Sequence, residues 1–201
     1  DIAFRLAPRL NAAGRMRHAA AAVELLTTRS GETAGRIAAE LNSLNRERQK
    51  VEQKILTDVS LMLAARRDLL RSRSLVLAHS DWHEGVLGIV ASKLLEMFFR
   101  PVVLISTRDG RAKGSARSIP GFNMINGLTA CSAYLSNFGG HAQAAGLSLA
   151  VDMIEPFREH FEKIVAAETQ PDDFLPLLPI DAELDFSDIH PPLLDELTAL
   201  E

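Results

Sequence analysis

"SLVLAHSDWHEGVLGIVASKLLEMFFRPVVLIS" occupies residues 74–106, and the changes of period inside it decide the fold. Its first seven residues form a short apolar run closed by a serine, as a buried strand does. From Gly85 the apolar positions spread over some fifteen residues without proline, which reads as a helix. At Pro101 the run "PVVLIS" begins a second strand, proline being tolerated at a strand's first position. Strand, helix and strand in succession predict an α/β fold.

Downstream, the alternation continues. "GRAKGSARS" predicts a turn and a short strand, "NMINGLTACSAYLSNF" a helix, "AAGLSLAV" a strand and "MIEPFREHFEKIVAAE" an amphipathic helix. Residues 74–168 therefore read as one compact α/β domain. Beyond it, 169–201 begins as a linker in "TQPDDFLPLLP", and "IDAELDFSDI" resembles the first strand of a further unit.

Upstream, residues 1–73 are of another kind. "FRLAPRLNAAGRM" reads as irregular, followed by a short alanine-rich helix near Ala19 to Thr27. From about Glu32 to Arg67 only Gly35 interrupts a pattern in which Ile37, Leu41, Leu44, Val51, Ile55 and Met62 recur at threes, fours and sevens. A helix of that length would measure about 50 Å, more than a body of this size needs internally, and reads as a connector. A helical hairpin broken near Leu44 to Arg48 is the alternative.

With 201 residues and 47% hydrophobic content the chain can bury one good core or two small ones. No apolar stretch approaches the roughly 18 residues of a membrane span and the first residues do not read as a signal peptide, so a cytoplasmic location is the expectation. Cys131, alone, excludes an internal disulfide and a cysteine-rich zinc site; it is expected to be buried. Charge is uneven: residues 1–73 carry 14 basic against 8 acidic side chains, 74–149 carry 6 against 4, and 150–201 carry 2 against 14. Seventeen of the 22 basic residues are arginine, whose planar fork suits phosphate oxygens, so a polyanionic partner fits; solvated helix faces are the plainer explanation.

Four stretches can carry chemistry. In "DWHEGVLGIVAS", His83 sits between a strand's end and a helix start, where free amides attract anions; it faces a phosphate or caps a loop carbonyl, and Trp82 reads as packing. In "GRAKGSARS", Lys113, Ser115, Arg117 and Ser118 lie close together, and on a strand Ser115 and Arg117 share a face on which hydroxyl and guanidinium can share one anion. In "FGGHAQAAGLSL", Gly139 and Gly140 bare the backbone so that His141 can reach a charged oxygen, while Ala142, Ala144, Ala145 and Gly146 permit close packing. In "PRLNAAGRM", Arg9, Asn11 and Arg15 flank small residues, although Asn11 could instead cap the next helix. No spacing indicates a metal site.

In that order, "APRLNAAGRM", "LNSLNRERQ", "DWHEGVLGIVASKLLEMFFRPVVLIS", "GSARSI" and "FGGHAQAAGLSL" make the chain similar to the RecJ family of single-strand-specific 5′ exonucleases, within the DHH phosphoesterase superfamily with its accessory DHHA1 domain. The resemblance implies the following expectations. Residues 1–73 would be the edge of the DHH domain and the connector helix, 74–168 a compact DHHA1 domain with a mixed β-sheet flanked by helices, and 169–201 an acidic linker with "IDAELDF" entering an OB-fold. The intact protein would hydrolyse single-stranded DNA from its 5′ end in repair and recombination by a two-metal mechanism. Mn2+ or Mg2+ would be bound by a DHH domain that this sequence lacks, leaving it inactive alone. His141 would contact the scissile or an adjacent phosphate, with Gly139 and Gly140 giving access. Ser115 and Arg117 would hold the terminal phosphate, with Arg9, Arg15, Lys113, Asn11 and His83 along the strand. Single-strand-binding protein and a helicase would be partners. The alternatives are a stand-alone module that binds single strands and part of an oligonucleotide phosphoesterase.

Overall fold

The computed structural model describes residues 2–199, and it opens in helix where irregular chain was expected. A single π-helical turn, Ile2–Leu6, runs into α1, Ala7–Met16. Pro8 falls in the first turn of α1, where its missing N–H costs nothing. The alanine-rich helix follows as α2, Ala20–Thr27.

The connector is continuous: α3 spans Gly31–Ala65 without the alternative break, starting at Ser30, whose hydroxyl accepts the Thr33 amide at 3.2 Å. Its buried stripe runs through Ile37, Leu41, Leu44, Asn45, Glu52, Ile55, Val59 and Leu63. Val51 and Met62, expected on that stripe, lie at its margins, partly buried. The stripe serves two clusters. Ile37, Leu41 and Leu44 pack with Ala12 and Ala13 of α1, while Ile55, Val59 and Leu63 join the core of the following sheet.

That sheet begins with β1, Leu75–His79, then α4, Glu84–Phe98, and β2, Val102–Ser106, in the predicted order. Next come β3, Ala112–Arg117, and α5, Met124–Ala130. The helix expected over 123–138 stops there. Its second half becomes a 3₁₀ turn at Ser132–Tyr134 and an edge strand, β4, Asn137–Gly140. Phe138 lies opposite Leu147 and packs against the apolar cluster, which a continued helix would forgo. Then follow β5, Ala144–Leu149, and α6, Ile154–Glu168.

The strand order is β1-β2-β3-β5-β4, with β1 and β2 parallel and the other pairs antiparallel. One face is sealed by α5 and α6 through Phe122, Met124, Leu128, Phe157, Phe161 and Val165, set against Val103, Ile105, Ala116 and Leu147. Cys131 is buried beside them, as expected. On the other face, β1 and β2 are covered by α4 and the second half of α3. Trp82 is fully buried there, its indole N–H donating to Asp58 at 3.1 Å: it is packing, as read from the sequence.

After α6 the chain is mostly exposed. The segment "IDAELDF" forms no strand; a 3₁₀ turn at Phe186–Asp188 and a helix, α7, Pro191–Ala199, occupy this end. Phe186 is 95% exposed, and no strand pairs with this segment among the described residues. No helix among the described residues is long and apolar enough to cross a membrane.

Candidate functional site

Alternation along β3 sends Ala112 and Ala116 to the sealed face, so Lys113, Ser115 and Arg117 point to the other. The register extends this row by row: Leu104 lies beside Ser115, Ser115 beside Gly146, and Gly146 beside Gly139. Over Leu75, Leu77, Val102 and Leu104 the face is covered by the apolar side of α4. Over β5 and β4 it carries only Ala144, Gly146, Ser148, Asn137 and Gly139. The result is a groove of about 570 Å³ at the edge of α4, lined by Glu84, Leu87, Lys113, Asn137, Gly139 and Ser148.

Ser115 and Arg117 stand where the covered half meets the open half. A Cβ on Gly88 of α4 would lie 2.8 Å from Arg117 Nη2 and 3.1 Å from Ser115 Oγ, so the missing side chain is what leaves room for them. Arg117 Nε donates to Ser92 Oγ at 3.1 Å, and its Nη1 donates to the Ala116 carbonyl at 2.8 Å and to Ser115 Oγ at 3.3 Å. The hydroxyl and guanidinium that spacing put on one face are thus in contact. Burial, and then the nearby Arg15 cation, lower the Arg117 pKa from its ordinary value. Both guanidiniums line one hollow, and neither is ion-paired among the described residues.

Arg15 reaches this place because α1 and α4 nearly touch: a Cβ on Gly85 would lie 2.0 Å from the Arg15 carbonyl oxygen. Arg15, Asn11, Arg48 and Ile89 line a smaller hollow beside the one formed by Arg15, Gly88, Ser92, Lys93 and Arg117. Asn11 is exposed within α1 and does not cap α2, which starts after Ala19. Arg9 is turned away toward α3, its Nε donating to Asn42 Oδ1 at 2.5 Å, so it fastens α1 to the connector.

His141 follows β4 directly. Its N–H donates to the Ala144 carbonyl at 2.9 Å, which continues the ladder one step and puts His141, Ala144 and Arg117 in line across β4, β5 and β3. Two strand spacings separate the outer two by about 10 Å. The imidazole is exposed; its Nδ1 accepts the Gln143 amide at 3.3 Å, leaving Nε2 for a ligand. Gly140 has φ 151°, and a Cβ there would lie 2.3 Å from the Ala144 carbonyl oxygen, so this turn requires glycine. Gly139 faces open space, as a groove floor does.

His83 is used locally: it precedes α4 and its Nδ1 accepts the Gly85 amide at 3.2 Å. It caps an amide at the helix start, where a carbonyl contact was the expected alternative. Lys113 is paired with Glu84 at 3.0 Å at the groove's mouth, both half-exposed. The structure therefore puts Lys113, Ser115 and Arg117 on one face, Arg15 in a hollow with Arg117 and His141 in line with Arg117, and gives Arg9 a bond to Asn42 and His83 one from the Gly85 amide.

Sequence reasoning missed Ser92, Lys93, Arg48 and Glu52. Glu52 is 5% exposed and accepts from both Arg48 on its own helix and Lys93 on α4. The signal was present, since a glutamate at position 52 falls on the apolar stripe of α3 between Leu44 and Ile55. Among the described residues no group of three or more His, Cys, Asp or Glu side chains is placed to hold a metal ion.

The DHHA1 domain family model matches residues 72–167. The chain is 39% identical, over 99% of its own length and 25% of the relative's, to the single-stranded-DNA-specific exonuclease RecJ of Bacillus subtilis. It is also 39% identical to the RecJ of Escherichia coli, over 85% of this chain and 31% of that one. Among solved structures it superposes on RecJ from Thermus thermophilus in complex with Mg2+ with a TM-score of 0.83 and 32% identity, covering all of this chain and 30% of that one. A structure of exonuclease RecJ bound to manganese matches with a TM-score of 0.71 and 34% identity, over 86% of this chain and 42% of that one. The chain thus spans a quarter to a third of the length of the curated relatives it matches.

Proposed function

We propose, for a chain that belongs to the RecJ family and carries its DHHA1 domain, that it forms the substrate-binding wall of an exonuclease that degrades single-stranded DNA from the 5′ end. The observation that supports this reading is the contact of Ser115 with Arg117, which shares a hollow with Arg15, while Ser115 lies beside Gly146, a lining residue of the open groove. Ser115 and Arg117 hold the terminal phosphate, by hydroxyl and forked guanidinium. His141, in line with Arg117 about two strands away, contacts the scissile or adjacent phosphate through Nε2. Arg15 and Lys113 follow the backbone, and Asn11 adds a polar contact beside Arg15.

Bond cleavage needs groups from elsewhere in the intact protein. The two-metal reading requires Mn2+ or Mg2+, and RecJ structures of relatives hold these ions. The described residues offer no donor set that fits them, and we place these ions in the DHH domain of the intact protein. A cytoplasmic setting, roles in repair and recombination, and cooperation with single-strand-binding protein and a helicase complete the proposal.

The test uses the full-length protein and 5′-phosphorylated and 5′-hydroxyl oligonucleotides. Arg117→Ala is expected to lose most of the preference for the phosphorylated end, and His141→Ala to lower turnover at least tenfold with an unchanged melting temperature, as loss of a transition-state contact does. Equal discrimination by Arg117→Ala and the unaltered protein would overturn the assignment.

A further inference from the structure

Glu52 is an acid buried beneath a cationic surface, which is an expensive arrangement unless each oxygen is engaged. Both are: Oε2 accepts from Arg48 Nη1 and Oε1 from Lys93 Nζ. Arg48 is itself nearly buried, and its Nε and Nη2 donate to Asn45 Oδ1 at 3.3 and 2.9 Å. Lys93 is half exposed and lines the hollow that contains Arg15 and Arg117; Arg48 lines the neighbouring hollow, which Arg15 shares. One carboxylate on α3 therefore fixes a cation on each side of Arg15 and ties α3 to α4. A longer pairing with a surface glutamate would dock the helices less firmly and leave Lys93 to its own many rotamers.

We infer that Glu52 is a positioning residue: by holding Arg48 and Lys93 in place it makes Arg48, Arg15, Lys93 and Arg117 one continuous strip that meets successive phosphates of the bound strand behind its terminal one. The inference rests on the nucleic-acid reading above and adds to it two phosphate contacts and the group that orders them. Glu96, which also lines the second hollow, is the acid that opposes an anion there.

Net charge alone and positioning predict opposite signs, which makes Glu52→Gln decisive. Removing a negative charge beneath the strip favours any polyanion, so a strip governed by charge alone binds more tightly in the variant and with a steeper salt dependence. If Glu52 positions the cations, Glu52→Gln frees Arg48 and Lys93, and binding weakens in spite of the more favourable charge. In the full-length protein, with 5′-phosphorylated oligothymidylate and no divalent metal, the expected loss is about tenfold at 0.1 M salt. The slope of log affinity against log salt should become shallower by about 0.7 for each phosphate that is no longer neutralised. Glu52→Asp should restore part of the affinity.

Unchanged or tighter binding by Glu52→Gln overturns the inference. Should that variant not fold, Lys93→Met and Arg48→Met take its place; each is expected to flatten the slope by about 0.7, and an unchanged slope in both overturns the inference equally. The parallel measurement on Arg117→Ala separates the two levels. If Arg117→Ala binds as the unaltered protein does, the nucleic-acid reading itself fails; if it weakens binding while the Glu52, Arg48 and Lys93 variants do not, only the present inference fails.

Discussion

The two faces of the sheet are built from the same strands and have opposite characters. Along β3, Ala112 and Ala116 alternate with Lys113, Ser115 and Arg117, and along β5, Ala145, Leu147 and Leu149 alternate with Ala144, Gly146 and Ser148. One set disappears under α5 and α6; the other reaches past the edge of α4 into open space. Residue-by-residue alternation thus lets one short strand serve stability with one set of positions and recognition with the other. The price of the second role is apolar burial forgone over half a sheet face, and the sealed side has to hold the domain together for both.

The contrast breaks most visibly at Phe161. Its ring is fully buried, stacked at 5.5 Å on Phe157 and edge-on at 5.8 Å to Phe122. Phe161→Ala should cost about 3–5 kcal/mol of unfolding free energy in urea titrations. The protein that remains folded should bind single strands with the original salt slope. A changed slope would mean that the sealed face reaches into recognition after all.

Gly88→Ala probes the opposite face and should uncouple the two roles. Alanine is favoured over glycine within a helix by about 1 kcal/mol, so on helical grounds the variant should be as stable as the parent or slightly more so. Its methyl group, however, would fall 2.8 Å from Arg117 Nη2, which must move. Affinity for a 5′-phosphorylated oligonucleotide should drop severalfold while thermal melting holds or rises. Affinity falling together with stability would show that Gly88 serves packing alone.

What the sequence discloses follows the same division. The α/β alternation over 74–106, the length of α3, the burial of Trp82 and the shared face of Ser115 and Arg117 are legible because each is fixed by local period. Long-range partners decide the rest. Asn137–Gly140 has little strand propensity of its own and is a strand because β5 pairs with it. "IDAELDF" alternates apolar and acidic residues as a half-buried strand does, yet finds no strand partner among the described residues. Residues 7–16 read as irregular chain because proline, asparagine and glycine punctuate them; packing of Ala12 and Ala13 against α3 overrides that composition. The groove itself is invisible locally, since Lys113, Gly139 and Ser148 meet only through the strand order. Glu52 passes for surface charge in a helix this polar, although its place on the stripe marks it as buried.

The smallest expected effect returns to the sealed side, at Cys131. Burial first, and then the nearby Glu168 carboxylate, push its thiol up to about 12 from an ordinary value near 9. Below pH 8 both folded and unfolded chains keep the proton, and the thiol contributes no pH dependence. As pH rises above 9 the unfolded chain loses the proton that the folded chain retains; the unfolded state then binds fewer protons, and stability falls until the folded thiol also ionises near 12. By pH 10 the loss is about 1 kcal/mol. Cys131→Ala lacks this linkage, so the stability gap between parent and variant should be constant from pH 6 to 8 and narrow above 9. A gap that stays constant to pH 10.5 would place the thiol in contact with water, and the face described as sealed would then be open to solvent at that point.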